Sequence, residues 1–455
     1  MNLLKTIFTL SLLISIAALY GQQVKVPFTD EHWDTENAKA IFEEYQGKES
    51  ILVENGPIVL TDVLLENGTI EFDINFPDQR AFPGIGFRWE DKDNHEIIYF
   101  RPGSSGDPDA LQYNPVFNGR GAWQLYHGKG YTDSLTFKYD EWQHIKLEIS
   151  GDKARLFWDD RELPALSVVE LKRAPKEGKI TLRAMGAPVH FANFQYTKSV
   201  TEVEETQIPA PPKKGTITNW QIGGEFARDE FYGITDIDDE LKKAMTWKEV
   251  KSEGSGLVNL SEYVGSSNDL LKSTTVARVI IHSDKEEIKR FSFGFSDEAR
   301  VYYNDRLVFV GKDAYLSRDH QFSGLIGYYD ALYLPLKKGE NEVWMVVTEN
   351  FGGWGIQARL EDVEVKVEVA AEILRQYAGE YAFKENPPLA ITFEEGRLRL
   401  SAGPNKYNFF AVSQTRFQII EFNLEVEFRQ NDKGETDAMI LYQNNRETVF
   451  KKKTE

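Results

Sequence analysis

The segment EFDIN, Glu71 to Asn75, holds a spacing that could do chemistry. In a strand, alternation puts Glu71, Asp73 and Asn75 on one face, two carboxylates and an amide at two-residue intervals. Retaining glycoside hydrolysis needs two carboxyl groups about 5 Å apart, one as nucleophile and one as acid. Asn75 stands near where the acid is wanted, and an amide cannot protonate a leaving group. The alternative is a sandwich strand with its polar face in water.

A second candidate runs from Arg101 to Tyr131, RPGSSGDPDALQYNPVFNGRGAWQLYHGKGY, where turn formers mix with large rings. Rings stack on the C–H faces of a pyranose, while hydroxyls take polar side chains as partners. The reading makes Arg101, Gln112, Tyr113, Asn118, Trp123 and Tyr126 ligand-binding residues. Asp107, Asp109 and His127 are candidate acid–base groups, acting with Glu71 or Asp73. Long loops inside compact domains tend to carry function. The alternative is a structural loop whose rings cover one end of a sandwich. A similar mixture recurs in GKDAYLSRDHQFSGLIGYYDALYLP and ENFGGWG, giving Arg318, Asp319, Asp330 and Trp354 as further ligand candidates. There Gly352-Gly353 would let backbone approach closely, and core packing of Trp354 is the alternative.

Other strings imitate motifs without their context. HEIIY (His95 to Tyr99) lacks the second histidine of a zinc-protease helix and reads as strand. SGDK (Ser150 to Lys153) falls on a hairpin turn rather than opening a helix. DKDN (Asp91 to Asn94) lacks the glycine and distal glutamate of a calcium loop, and DIDDE reads as helix capping. No metal or cofactor is therefore expected.

The elements that must position these residues are short alternating runs such as TIEFDINF, GIGFRW, HIKLEI and ARLFWDD, broken by Gly, Asp, Asn and Pro. That pattern predicts antiparallel strands and an all-β fold. The 455 residues suit about three domains at roughly 150 residues each. A net charge of -19 and the lack of a basic cluster argue against nucleic acid as partner. Residues 1–22 read as a secretory signal peptide, their apolar run short for a membrane span. No cysteine stands there for lipidation, which predicts a secreted or periplasmic protein, and the cysteine-free chain cannot rest on disulfides. Residues 23–198 form the first expected domain, 199–215 an acidic, proline-containing linker, 216–368 a second sandwich opened by a helix in DIDDELKKAMTWKEV, and 369–455 a small barrel.

GTIEFDINF, GIGFRW, WQHIKLEISGDKARLFWDD and VHFANFQY resemble the concanavalin/laminin-G-like sandwiches of secreted bacterial proteins, including the domain acting on 3-keto-disaccharides. The Gly-x-x-Leu-x-x-Trp opening of those hydrolase-like members is only loosely echoed by FTDEHWD. RVYYNDRLVFVG and LPLKKGENEVWMVV resemble galactose-binding-like sandwiches, with Asp305-Arg306 where those carry Asn-Gly. LRQYAGEYAF, PLAITFEEGRLRL and DKGETDAMIL are similar to the lipocalin-like barrel found behind beta-lactamase-like serine hydrolases, whose catalytic domain is absent. The resemblances imply a concanavalin-like jelly roll, a galactose-binding-like sandwich and a small barrel, facing glycans. The expected function is a secreted, non-catalytic glycan-binding protein. The alternatives are a glycoside-processing hydrolase working on the Arg101–Tyr131 loop, or a cell-surface protein-interaction module.

Overall fold

The computed structural model describes residues 21–198, 212–265, 273–362, 367–384, 386–402, 405–419, 424–443 and 446–453. The expected signal peptide lies outside the described residues except for positions 21 and 22, and the expected linker is described only from residue 212.

The first sandwich follows from alternation. In the strand Gly68–Asn75, Ile70, Phe72 and Ile74 are fully buried between the layers, so the residues between them face outward. One layer runs from Lys39–Tyr45 through the first half of Lys48–Leu60, then Val189–Thr197, Gly68–Asn75, Gln143–Ser150, Lys153–Trp158 and Leu166–Val168. The other contains Leu111–Phe117, Asn94–Phe100, Gly84–Asp91, Lys179–Ala184 and the second half of Lys48–Leu60. That thirteen-residue strand thus serves both layers. It turns at Gly56 (φ +85°), where a Cβ would lie 2.3 Å from the Asn37 carbonyl oxygen, so only glycine fits. The interlayer core includes Trp33, Ile51, Phe72, Phe87, Phe100, Leu147 and Phe191. At roughly 1.5–3 kcal/mol for each large apolar side chain, its burial is the main force holding the layers together.

The second sandwich packs a six-stranded sheet (Lys248–Lys251, Asn219–Phe226, Thr274–Ser283, Gly339–Thr348, Glu298–Tyr303, Arg306–Lys312) on a four-stranded one (Val258–Asn259, Gly355–Asp362, Glu287–Ser296, Asp330–Leu336). Phe291, Phe293, Phe295, Met345 and Trp354 fill the space between. The helix expected in DIDDELKKAMTWKEV spans only Asp239–Ala244, with the Asp238 carboxylate accepting from the Leu241 N–H at 2.8 Å. Its expected continuation instead becomes the edge strand Lys248–Lys251, because Trp247 packs edge-on against Trp344 (5.2 Å) and Val250 enters the sandwich core.

Eight strands from Gly379–Ala382 to Arg446–Lys452 close into a barrel, the last pairing with the first through Tyr381 and Lys452. Closure removes exposed strand edges. Phe409, Phe417, Val426, Phe428 and Met439 fill it, and the helix Ala371–Tyr377 contributes Tyr377, stacked on Phe428 at 4.4 Å.

Candidate functional site

The outward face of Gly68–Asn75 is where the sequence-derived carboxylates meet. Antiparallel pairing sets His144 opposite Asp73 and Lys146 opposite Glu71. On the other flank, the register of Val189–Thr197 shifts between Ala192 and Gln195, with Asn193 at φ +52°. This bulge brings the Asn193 amide to Asp73. Asp73 then accepts from Lys48 Nζ (2.6 Å), Asn193 Nδ2 (2.6 Å) and His144 Nδ1 (2.8 Å). The other ring nitrogen of His144 lies 3.4 Å from Glu71 Oε2, and Gln23 donates to Glu71 Oε1 at 3.3 Å.

A histidine with a carboxylate at each nitrogen is a donor at both, hence an imidazolium. The hydrogen bond to Asp73, reinforced by Glu71, pushes its pKa up to about 9. Burial pushes Asp73 up, but the bonds from His144, Lys48 and Asn193 more than reverse this and hold it at about 2. Glu71 is lowered, chiefly by its bond to His144. At neutral pH Asp73, His144 and Glu71 are therefore all ionised. Neither carboxyl is held protonated, so neither supplies the acid of a two-carboxylate hydrolysis.

An aromatic wall stands beside this row. Tyr45 stacks on His190 at 3.7 Å and 4°, and Trp142 meets both rings edge-on at 6.1 and 6.4 Å. The Lys48 ammonium sits 4.7 Å over the Trp142 ring and so joins wall and row. His190 Nε2 bonds Glu43 Oε1 (2.8 Å), and Asn75 donates to Gln46 (3.2 Å). Lys48, Trp142, His144, His190 and Asn193 were absent from the sequence-derived site. The signal was present in WQHIKLEI, whose alternation puts Trp142, His144 and Lys146 on the polar face.

The Arg101–Tyr131 stretch has another role. Much of it is the strand Leu111–Phe117 followed by a turn that docks on the second sandwich. Tyr113 is fully buried and donates to Glu96. Gln112, 1 % exposed, accepts from Arg101 (3.0 Å) and donates to the Tyr126 carbonyl (2.8 Å). Arg101 also pairs with Asp109 and lies over Trp123. Tyr126 donates to Glu253 of the second sandwich, whose other oxygen takes the ammonium of Lys172. Asn118 donates to the Ser261 carbonyl (2.8 Å), and His127 bonds the Ile326 carbonyl (3.1 Å). Trp123 meets Phe351 edge-on at 5.8 Å. Asp107 is exposed on a turn in which its carbonyl accepts from the Ala110 N–H at 3.1 Å.

Part of the second cluster, Trp354 and Gly352-Gly353, meets the same junction. Trp354 is fully buried, donating to the Val347 carbonyl, with Arg120 of the first sandwich over its ring at 4.9 Å. Arg318 pairs with Asp313 and Asp330, and Asp319 accepts from Gln321 N–H in its own turn. The closeness that Gly352-Gly353 permits is to protein: a Cβ on Gly352 would lie 2.5 Å from the Gln124 side chain, and one on Gly353 2.8 Å from Leu125. Of the expected ligand residues, Tyr113, Gln112, Tyr126 and Trp354 are thus buried, which is the packing alternative for both stretches, and Tyr126 and Asn118 bond across a domain junction. Rings with amides and carboxylates suit a wet, partly polar interface as well as a sugar.

Among the described residues no group of three or more His, Cys, Asp or Glu could hold a metal ion, and no helix is long and apolar enough to cross a membrane. Residues 29–197 match the family model described as a 3-keto-alpha-glucoside-1,2-lyase-like domain, and residues 363–453 match a domain of unknown function, DUF3471. The first sandwich is thus similar to that concanavalin-like family over nearly its whole length. Similar solved structures include the carbohydrate-binding module CBM66 from Bacillus subtilis, 19% identical, covering 38% of this chain and 100% of that one, with a TM-score of 0.30. A putative glycosyl hydrolase from Parabacteroides distasonis is 11% identical, covering 38% and 99%, with a TM-score of 0.26. The Bacillus licheniformis beta-glucanase is 11% identical, covering 40% and 93%, with a TM-score of 0.26. No curated protein matches the chain.

Proposed function

We propose that this is a secreted carbohydrate-binding protein whose first sandwich holds sugar against Tyr45 and Trp142 and bonds its hydroxyls through the Lys48–Asp73–His144–Glu71 row. The carrying observation is the meeting of an aromatic wall and a mutually hydrogen-bonded polar row on one sheet face. Such a face meets both halves of a pyranose, the apolar C–H surface and the hydroxyl rim. The row is internally compensated, so it is ordered before ligand arrives and little entropy is lost in fixing it. Residues 1–22 support export. The test is calorimetric titration of the chain with neutral oligosaccharides and a 3-keto-disaccharide. Binding that Trp142→Ala and His144→Gln both weaken supports the assignment; binding that neither variant changes, or no binding across the panel, overturns it.

A second reading is favoured by the match of residues 29–197 to a family described by its action on 3-keto-α-glucosides. In a 1,2-elimination, a base takes the proton from the carbon between the ketone and the glycosidic carbon. The electron pair forms the new double bond, and an acid protonates the departing glycosidic oxygen. Glu71 would be that base and the His144 imidazolium that acid, and the His144 side chain is 43% exposed and reachable. Release of free sugar from a 3-keto-disaccharide, lost in His144→Gln while binding persists, would establish turnover in place of binding alone.

A further inference from the structure

The second sandwich carries a cavity that the first-domain site does not involve. On the face of the six-stranded sheet turned away from the four-stranded one, the segment 227–247 packs through a small core that includes Phe231, Tyr302, Trp344 and Val346. Where this cover ends, a cavity of about 360 Å³ remains beside Arg228, Tyr232, Glu298, Arg300, Val310 and Lys312. That is within the size range of small-ligand sites.

Its charge is opposite to that of the chain. Three cations stand against one carboxylate, in a protein of net charge -19. Glu298 Oε1 accepts from both Arg228 (2.7 Å) and Lys312 (3.0 Å). Arg300 lies 5.2 Å from the Tyr232 ring centre, and among the described residues it has no carboxylate within ion-pair distance. The walls are apolar: the Tyr232 ring is 51% exposed and Val310 is 58% exposed, although both are large enough to be worth burying. Arg228 Nε donates to the Tyr232 hydroxyl at 3.2 Å and fixes the ring's position.

We infer that this cavity binds an acidic sugar, a pyranose bearing a carboxylate as in a uronic acid residue. The guanidinium of Arg300 and the ammonium of Lys312 would take the carboxylate, because a planar fork and a point charge together satisfy both oxygens. Tyr232 and Val310 would cover the C–H face of the ring. A bare inorganic anion would use the cations and leave that apolar wall in water.

The test is titration of the full chain with glucuronate- and galacturonate-containing oligosaccharides, neutral oligosaccharides of equal length, and sulfate. The acidic sugars should bind at least about tenfold more tightly than the neutral ones, and more weakly as ionic strength rises. Arg300→Gln should lower that affinity roughly tenfold, and Val310→Asp, which places a charge on an exposed position, should abolish it. Thermal melting checks that each variant folds, with Lys312→Gln as the second cation variant. Trp142→Ala should leave acidic-sugar binding intact, which separates this site from the first-domain face. Measured in the Trp142→Ala variant, whose first-domain face is weakened, equal affinity for neutral sugars, unchanged affinity on adding either Arg300→Gln or Lys312→Gln, or sulfate binding as tightly as the uronate (an adventitious ion only) would each overturn the assignment.

Discussion

Two regions of the first sandwich have nearly the same vocabulary. The face around Asp73 and the stretch from Arg101 to Tyr131 both mix aromatic rings with carboxylates, amides and basic groups. In the first, Lys48, Asp73, His144 and Glu71 satisfy one another and leave a ring wall beside them on an open sheet face. In the second, polar groups reach across to another domain: Tyr126 to Glu253, Asn118 to Ser261, Gln124 to Ser323. Leu257 and Ile326 of the second sandwich even join the hydrophobic core of the first. The difference lies in the partner, and composition does not name partners.

The comparison breaks most severely at the junction. Tyr126→Ala removes a fully buried ring, leaves Glu253 without its hydroxyl donor and takes away the ring under the Lys172 ammonium, so denaturant unfolding should show a loss of about 3–5 kcal/mol. If instead Tyr126→Ala cost nothing and abolished sugar binding, the stretch would be a ligand loop after all.

The Asp73 face should respond next. Asp73→Asn leaves Lys48 and His144 without their shared counter-charge, and the displacement of its pKa from 3.8 to about 2 corresponds to about 2 kcal/mol. The sign follows from linkage. The Asp73 contribution is complete above its unfolded pKa of about 3.9 and is lost as pH falls through about 2. The His144 contribution is complete below its unfolded pKa of about 6.5 and is lost as pH rises through about 9. The row therefore stabilises most between about pH 4 and pH 6.5. NMR titration of His144 should show its high pKa in the native protein and a marked fall in Asp73→Asn; no fall would mean the row does not hold the imidazolium.

Smaller effects sharpen the contrast. Trp142→Ala should weaken sugar binding roughly tenfold, about 1.4 kcal/mol, with the fold retained. Asp107→Ala, on an exposed turn, should change stability by less than about 0.5 kcal/mol and leave any sugar binding or turnover unaltered.

The all-β fold was legible because alternation is local: Ile70, Phe72 and Ile74 declare their face two residues at a time. Glu71 and Asp73 were legible as a pair for the same reason. Their partners were not, since His144 reaches Asp73 through a strand register set 71 residues away and Asn193 through a bulge that no pattern announces. The junction was hidden for a related reason. A solvent-facing loop and an interface loop obey the same turn chemistry, and only the tertiary neighbour separates them. The helix at Asp239 was foreseen from its cap but drawn too long, because Trp247 and Val250 answer to the sheet beside them.

The strand Lys48–Leu60 carries a mechanical consequence. Its first residue places an ammonium against Asp73, and its far half, beyond the bend at Gly56, is hydrogen-bonded into the layer whose other members reach the second sandwich. A single rod thus belongs to both sheets, and sliding it along its axis by one residue would misalign side chains in each of them at once. The two layers cannot shear independently, so the Asp73 face is braced from behind by a backbone shared with the layer that meets the neighbouring domain.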